Sequence, residues 1–114
     1  MVEIKSFIQA IRKLQKAVPV EKCHGWQKNL ALRKTDKGLE IAMTNGFILA
    51  VILIDGVTGI NSEKFVWLNI KQVEDLIFRL SQSEAMRADI DLTNSFKASF
   101  SSSTANIFIC LSFW

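Results

Sequence analysis

Two apolar-rich segments, residues 39–43 and 47–54, flank Thr44-Asn45-Gly46. This arrangement constrains the chain more than any other feature. In the first segment apolar and polar residues partly alternate, the period of a strand with one face in a core. The second is an unbroken apolar run, too short to span a bilayer as a helix. Asn-Gly between two such segments predicts a tight hairpin turn, with positive φ at both central positions of a type I′ turn. The chain must therefore contain antiparallel sheet. The hairpin alone names no function.

At 114 residues the chain is expected to form one domain, residues 1–114, burying roughly two-thirds of the surface it exposes when unfolded. With 49% apolar residues and a single proline, its composition is globular. Residues 1–16 are amphipathic with interspersed lysines and lack the continuous apolar segment of a signal peptide, so a cytoplasmic location and no membrane partner are expected. Cys23 and Cys110 fall short of a disulfide framework and read as reduced thiols, Cys110 within a strand. The net charge of +3 is compatible with nucleic acid without requiring it.

Along the chain, residues 2–4 read as a short strand and 6–18 as a helix. Phe7, Ile8, Ile11, Leu14 and Val18 fall on one stripe of that helix, and Pro19 stops it. Residues 20–26, with Gly25, form a connector. Strands follow at 29–34, 39–43 and 47–54, with Asp36-Lys37-Gly38 and Asn45-Gly46 as turns. A long connection runs from Asp55-Gly56 to Ser62, then a strand at 65–68. Asn69 is placed to cap a second helix over 70–81, whose buried stripe is Ile70, Val73, Leu76, Ile77 and Leu80. Strands at 87–92, 96–101 and 106–113 close the chain, with Thr93-Asn94-Ser95 and Ser102-Ser103-Thr104 as turns. The order is β-α-β-β-β in two halves, residues 1–56 and 63–114. It predicts an α+β domain with two helices packed on one side of antiparallel sheets.

The string Thr44-Asn45-Gly46-Phe47-Ile48-Leu49-Ala50 resembles the T-D-G-H-R-L-A motif of bacterial DNA polymerase sliding clamps, the beta-subunit family. Thr44, Gly46, Leu49 and Ala50 match; Asn45 keeps the turn chemistry, whereas Phe47 and Ile48 stand where the family has His and Arg. The element order also resembles a single clamp domain, whose two halves are related by a pseudo-two-fold. The resemblance implies a DNA-clamp-like fold. It further implies that Thr44, Gly46, Phe47, Ile48 and Leu49 line a groove for short peptide motifs, made more apolar by loss of His and Arg. Against this stands a plainer reading, in which residues 47–54 form a core strand buried on both faces. A clamp ring needs six such domains, so the resemblance implies a homo-oligomer formed by edge-to-edge strand pairing, with residues 106–114 as one edge. The terminal Phe113-Trp114 pair is then either packed or an interface.

On the first helix, Lys5, Gln9, Arg12, Lys13 and Lys16 lie opposite the apolar stripe, with no acid among them. In sliding clamps such faces touch duplex DNA phosphates without reading sequence; an ordinary solvated face is the alternative. The second helix carries Lys71, Glu74, Asp75 and Arg79, which sum to zero. Lys28, Arg33, Lys34 and Lys37 suggest a further basic patch on the hairpin, beside Trp26.

Little points to catalysis. The chain has one histidine, His24, and no zinc spacing, phosphate loop or nucleophile elbow. Asp89 and Asp91 share a strand face without an evident third ligand, and Cys23 is the one thiol an enzyme reading could use. No catalytic residue, metal or cofactor is therefore expected. The sequence supports a non-enzymatic, sliding-clamp-like protein acting in DNA replication or repair through protein contacts and sequence-independent contact with double-stranded DNA as an oligomer. The alternative is an adaptor or inhibitor that uses the clamp fold for protein binding without DNA.

Overall fold

The computed structural model describes residues 2–19, 28–57, 59, 61–62, 64–82, 86–92, 96–99 and, by their backbone, 100–101 and 106–111. The first half consists of β1 (Val2–Glu3), α1 (Ile4–Ala17), β2 (Lys28–Thr35), β3 (Gly38–Thr44) and β4 (Leu49–Asp55). The second consists of β5 (Val66–Asn69), α2 (Ile70–Ser81), β6 (Arg87–Asp91), β7 (Phe96–Ser101) and β8 (Asn106–Leu111). The described residues form an α+β domain with two helices and two antiparallel four-stranded sheets.

The halves exchange their first strands. One sheet has the order β4-β3-β2-β5 and the other β1-β6-β7-β8. Thus β5 pairs with β2, bringing Leu68 opposite Leu30 and Val66 opposite Leu32. In return β1 pairs with β6, bringing Val2 opposite Ala88. Both helices pack on the β4-β3-β2-β5 sheet, α1 against β3 and β4 and α2 against β2 and β5, and they touch each other. The ring of Phe7 on α1 stacks on that of Phe96 on β7, with centroids 6.4 Å apart. The first helix therefore also reaches the second half's sheet.

The local physics of α2 follows the sequence closely. The Asn69 side chain accepts from the Gln72 backbone N–H at 2.8 Å, and the Gln72 side chain accepts from the Asn69 N–H at 3.0 Å. This reciprocal capping box satisfies two of the helix's orphan donors. Val73, Leu76, Ile77 and Leu80 are buried, while Ile70 is half-buried.

Helix α1 starts at Ile4, two residues ahead of the sequence expectation. Glu3 still has extended backbone, and the Ile4 N–H donates to the Met86 carbonyl at 2.9 Å. The strand therefore turns directly into the helix, and Ile4 reaches the core. Phe7, Ala10, Ile11, Leu14 and Val18 are buried, with Ile8 packed at the margin. Val18 leaves helical geometry ahead of Pro19.

The two hairpin turns differ in what fixes them. Thr35 Oγ1 accepts from the Lys37 N–H and donates to the Gly38 carbonyl, both at 3.3 Å. Gly38 then starts β3 with φ of 144°, and a Cβ there would collide with the Ile54 carbonyl oxygen. At the second turn Gly46 has φ of 93° while no non-glycine residue among the described ones has positive φ, so the expected type I′ turn does not form. Instead Gly46 and Phe47 are the central residues, and the Asn45 N–H donates to the Ile48 carbonyl at 3.4 Å. One positive φ, at Gly46, falls short of the two that a type I′ turn requires.

The strands at 29–34, 39–43 and 65–68 are recovered within a residue or two of their expected ends, and β4 begins at Leu49 instead of residue 47. The connector at 20–26, with Cys23, His24 and Trp26, lies outside the described residues, as do the turns at 93–95 and 102–104 and the Phe113-Trp114 end. The side chain of Cys110 likewise lies outside what the structure describes. No helix among the described residues is long and apolar enough to cross a membrane.

Gly38→Ala is expected to destabilise the protein by more than about 2 kcal/mol in urea unfolding, since backbone strain and a clash with strand backbone combine. A loss below about 0.5 kcal/mol would show that the β3–β4 junction relaxes freely.

A cationic helix face and an apolar sheet edge

Two surfaces stand out, and separate elements build them. On α1, burial of Phe7, Ile11 and Leu14 turns the opposite stripe to solvent. Lys5, Gln9, Arg12, Lys13 and Lys16 are all exposed there. The helix contains no acidic residue, so the charges that α1 itself places on this stripe are all positive. On α2, Lys71, Glu74 and Arg79 are exposed and Asp75 is half-buried. Asp75 and Arg79 form an ion pair at 3.1 Å, one turn apart. The neighbouring helix is accordingly close to neutral.

Between the helices lies an open groove of about 360 Å³, lined by Arg12, Gln15, Glu74, Ile77, Phe78 and Ser81. Phe78 is exposed on its wall. Sequence reasoning passed over Phe78, although its position, off the stripe formed by Val73, Leu76, Ile77 and Leu80, was visible in the helical spacing.

The expected basic patch on the hairpin does not form. Lys34 alternates onto the core side of β2, opposite Leu39, and is only 7% exposed. Its ammonium donates to the Thr35 carbonyl and, at 3.4 Å, to Asn61 Oδ1. Its backbone N–H donates to Ser62 Oγ at 2.8 Å, and its carbonyl accepts from the Ser62 N–H at 3.0 Å. The connection after β4 thus covers this lysine. Arg33 lies on the other face, paired with Glu40 at 2.8 Å, and its guanidinium carbon sits 4.5 Å from the centre of the Phe65 ring. Only Lys28 and Lys37 of the four remain exposed.

The second surface is β4 and the turn before it. Its inward residues Ala50, Ile52 and Ile54 pack on the core, but its outward ones do not find cover. Leu49 is 66% exposed, Val51 56% and Leu53 40%; Phe47, at the turn, is 86% exposed and Ile48 is also exposed. This corrects the reading of residues 47–54 as a core strand buried on both faces. β4 is the end strand of its sheet among the described residues, and its outer face is apolar and exposed. Fully burying such side chains is worth roughly 1.5–3 kcal/mol each, which makes a contiguous exposed row of them unusual.

The residues expected to line a peptide groove, Thr44, Gly46, Phe47, Ile48 and Leu49, are brought together by the turn, with Thr44 half-buried and the other four exposed. Side-chain hydrogen bonds hold its shape. Asn45 Oδ1 accepts from the Phe47 and Ile48 N–H groups, each at 2.9 Å, and Asn45 Nδ2 donates to the Pro19 carbonyl at 2.7 Å. Thr44 Oγ1 accepts from the Gly46 N–H at 3.1 Å. Phe47 is therefore displayed on a fixed turn tied to the end of α1.

Asp89 and Asp91 are both exposed on β6. Among the described residues no group of three or more His, Cys, Asp or Glu side chains could hold a metal ion. Comparison with protein-family models, curated proteins and solved structures finds no match to this chain.

Asn45→Ala should lower stability by about 1–2 kcal/mol, because three hydrogen bonds go and two turn N–H groups lose their acceptor. Phe47→Ser should change it by less than about 0.5 kcal/mol, as expected for a solvent-facing side chain. Thermal unfolding of the two variants checks the pair; the reverse ranking would mean that Phe47 is covered.

Proposed function

We propose that this chain is a non-enzymatic, sliding-clamp-like protein that serves DNA replication or repair through protein contacts and sequence-independent DNA contact, as an oligomer. The observation that carries this reading is the reciprocal strand exchange. Two β-α-β-β-β halves each lend a first strand to the other's three-stranded meander, the approximate two-fold relation that the clamp resemblance implies. The Thr44-to-Ala50 motif spans the turn between β3 and β4, which supports the resemblance.

The charge of α1 supports a DNA role for its outer face. Lys5, Arg12, Lys13 and Lys16 present cations on one exposed stripe, with Gln9 between them, and no acid interrupts them. Contacts of this kind neutralise phosphates and release counterions, so binding is insensitive to sequence and steeply sensitive to salt. The near-neutral α2 keeps the footprint to one helix per copy.

The apolar row on β4 favours a second reading, an adaptor or inhibitor that works through protein contacts alone. The two readings differ in one measurement. Under the first, the protein binds unrelated duplex sequences equally. The slope of log affinity against log salt would be roughly −3 to −4, about −0.9 for each of four phosphate contacts. The combined Arg12→Glu, Lys13→Glu and Lys16→Glu variant then loses binding while keeping its fold by circular dichroism. Absence of binding by the native chain at low salt contradicts the DNA role and leaves the adaptor reading.

A further inference from the structure

The groove between the two helices joins the cationic face of α1 to an exposed aromatic ring. Arg12 belongs both to the charged stripe and to the groove lining. From the other side α2 contributes Ile77, which is nearly buried, and Phe78, whose exposure is 61%. Glu74, one turn before Phe78, supplies the acid of the lining, while its neighbour Asp75 is paired with Arg79. The volume of about 360 Å³ lies within the range of about 300–1,000 Å³ typical of small-ligand sites.

These features select an occupant. A Phe ring left in water gains by being covered with a flat partner, and aromatic faces favour offset stacking. The Glu74 carboxylate disfavours an anion inside the groove, whereas Arg12, Lys13 and Lys16 favour anions beside it. The matching ligand is a neutral flat group carried on an anionic backbone. A nucleobase on its sugar-phosphate chain has this composition; an acidic peptide brings the carboxylates that Glu74 repels. Bases inside a duplex are stacked on one another, so a ring beside the backbone reaches them only where a strand is unpaired.

We propose that the α1–α2 groove binds single-stranded DNA, with one unpaired base stacked on Phe78 and the flanking phosphates held by Arg12 and Lys16. These two cations lie one helical turn apart on the stripe. A cationic track beside an aromatic platform holds single strands without reading sequence, because every base has a π-face. The proposal rests on the DNA reading of the α1 stripe and narrows it. The stripe takes phosphates from either form of DNA, and Phe78 adds a contact that only an unpaired base completes.

Fluorescence anisotropy of the intact chain with labelled oligothymidine of about ten nucleotides, alongside a blunt duplex, tests the proposal. Phe78→Ala, at an exposed position and folded by circular dichroism, should weaken oligothymidine binding about tenfold, the loss expected for one stacked base. It should leave duplex binding within about twofold, and Phe78→Tyr, which keeps a ring, should bind as the native chain does. The Arg12→Glu, Lys13→Glu, Lys16→Glu variant should lose both ligands, and polyglutamate should fail to displace oligothymidine. Duplex binding without single-strand binding overturns the proposal and leaves the reading of the α1 stripe standing. So does a Phe78→Ala variant that binds oligothymidine undiminished or loses duplex equally, or full displacement by polyglutamate. Binding of neither form of DNA at low salt overturns both.

Discussion

The exchange of first strands between the halves is the constraint on which the structure depends. Without β5, β2 would have an open edge along Leu30 and Leu32, both fully buried. Without β1, β6 would lose the pairing that brings Val2 onto Ala88. Each sheet thus needs chain from both halves, and closing either requires long-range contact. The helices reinforce this dependence. α1 is covalently part of the first half, yet Phe7 stacks on Phe96 of the second half's sheet. The core formed by Ile11, Leu14, Leu32, Ile41, Leu68 and Leu76 accordingly draws on both halves at once.

The two candidate surfaces follow from that frame. With both helices on the β4-β3-β2-β5 sheet and touching each other, α1 buries Phe7, Ile11 and Leu14 and must present its lysines and Arg12 outward. With β5 taking the edge beside β2, β4 is the other end strand of this sheet among the described residues. One surface is polar and charged and suits a polyanion over a large area. The other is apolar and linear and suits a strand. They belong to different elements, so one can be altered without disturbing the other.

Much of the fold was legible in the sequence because it is locally encoded. The Asn69 cap and the spacing of Val73, Leu76, Ile77 and Leu80 placed α2 to the residue. The exposed face of α1 was equally plain, since removing the apolar stripe leaves Lys5, Gln9, Arg12, Lys13 and Lys16. The misreadings concern decisions taken elsewhere in the chain. Residues 47–54 are apolar on both faces, so alternation cannot distinguish a strand buried twice from one with nothing over its outer face; only the tertiary packing settles that. Lys34 was counted as surface charge, but its burial is decided by alternation on β2 and by Asn61 and Ser62 returning across it. Asn45 was assigned a central turn position, whereas its side chain is used to bond Phe47, Ile48 and the distant Pro19 carbonyl.

Native-state hydrogen exchange tests the interlocked halves most directly. If strand exchange makes the domain one cooperative unit, the core amides of β2 and β3 and those of β6 and β7 should exchange through a single global opening, with the same maximal free energy and the same urea dependence. Finding one sheet open at a free energy several kcal/mol below the other, with its own smaller urea dependence, would show that the halves fold independently and would contradict the account.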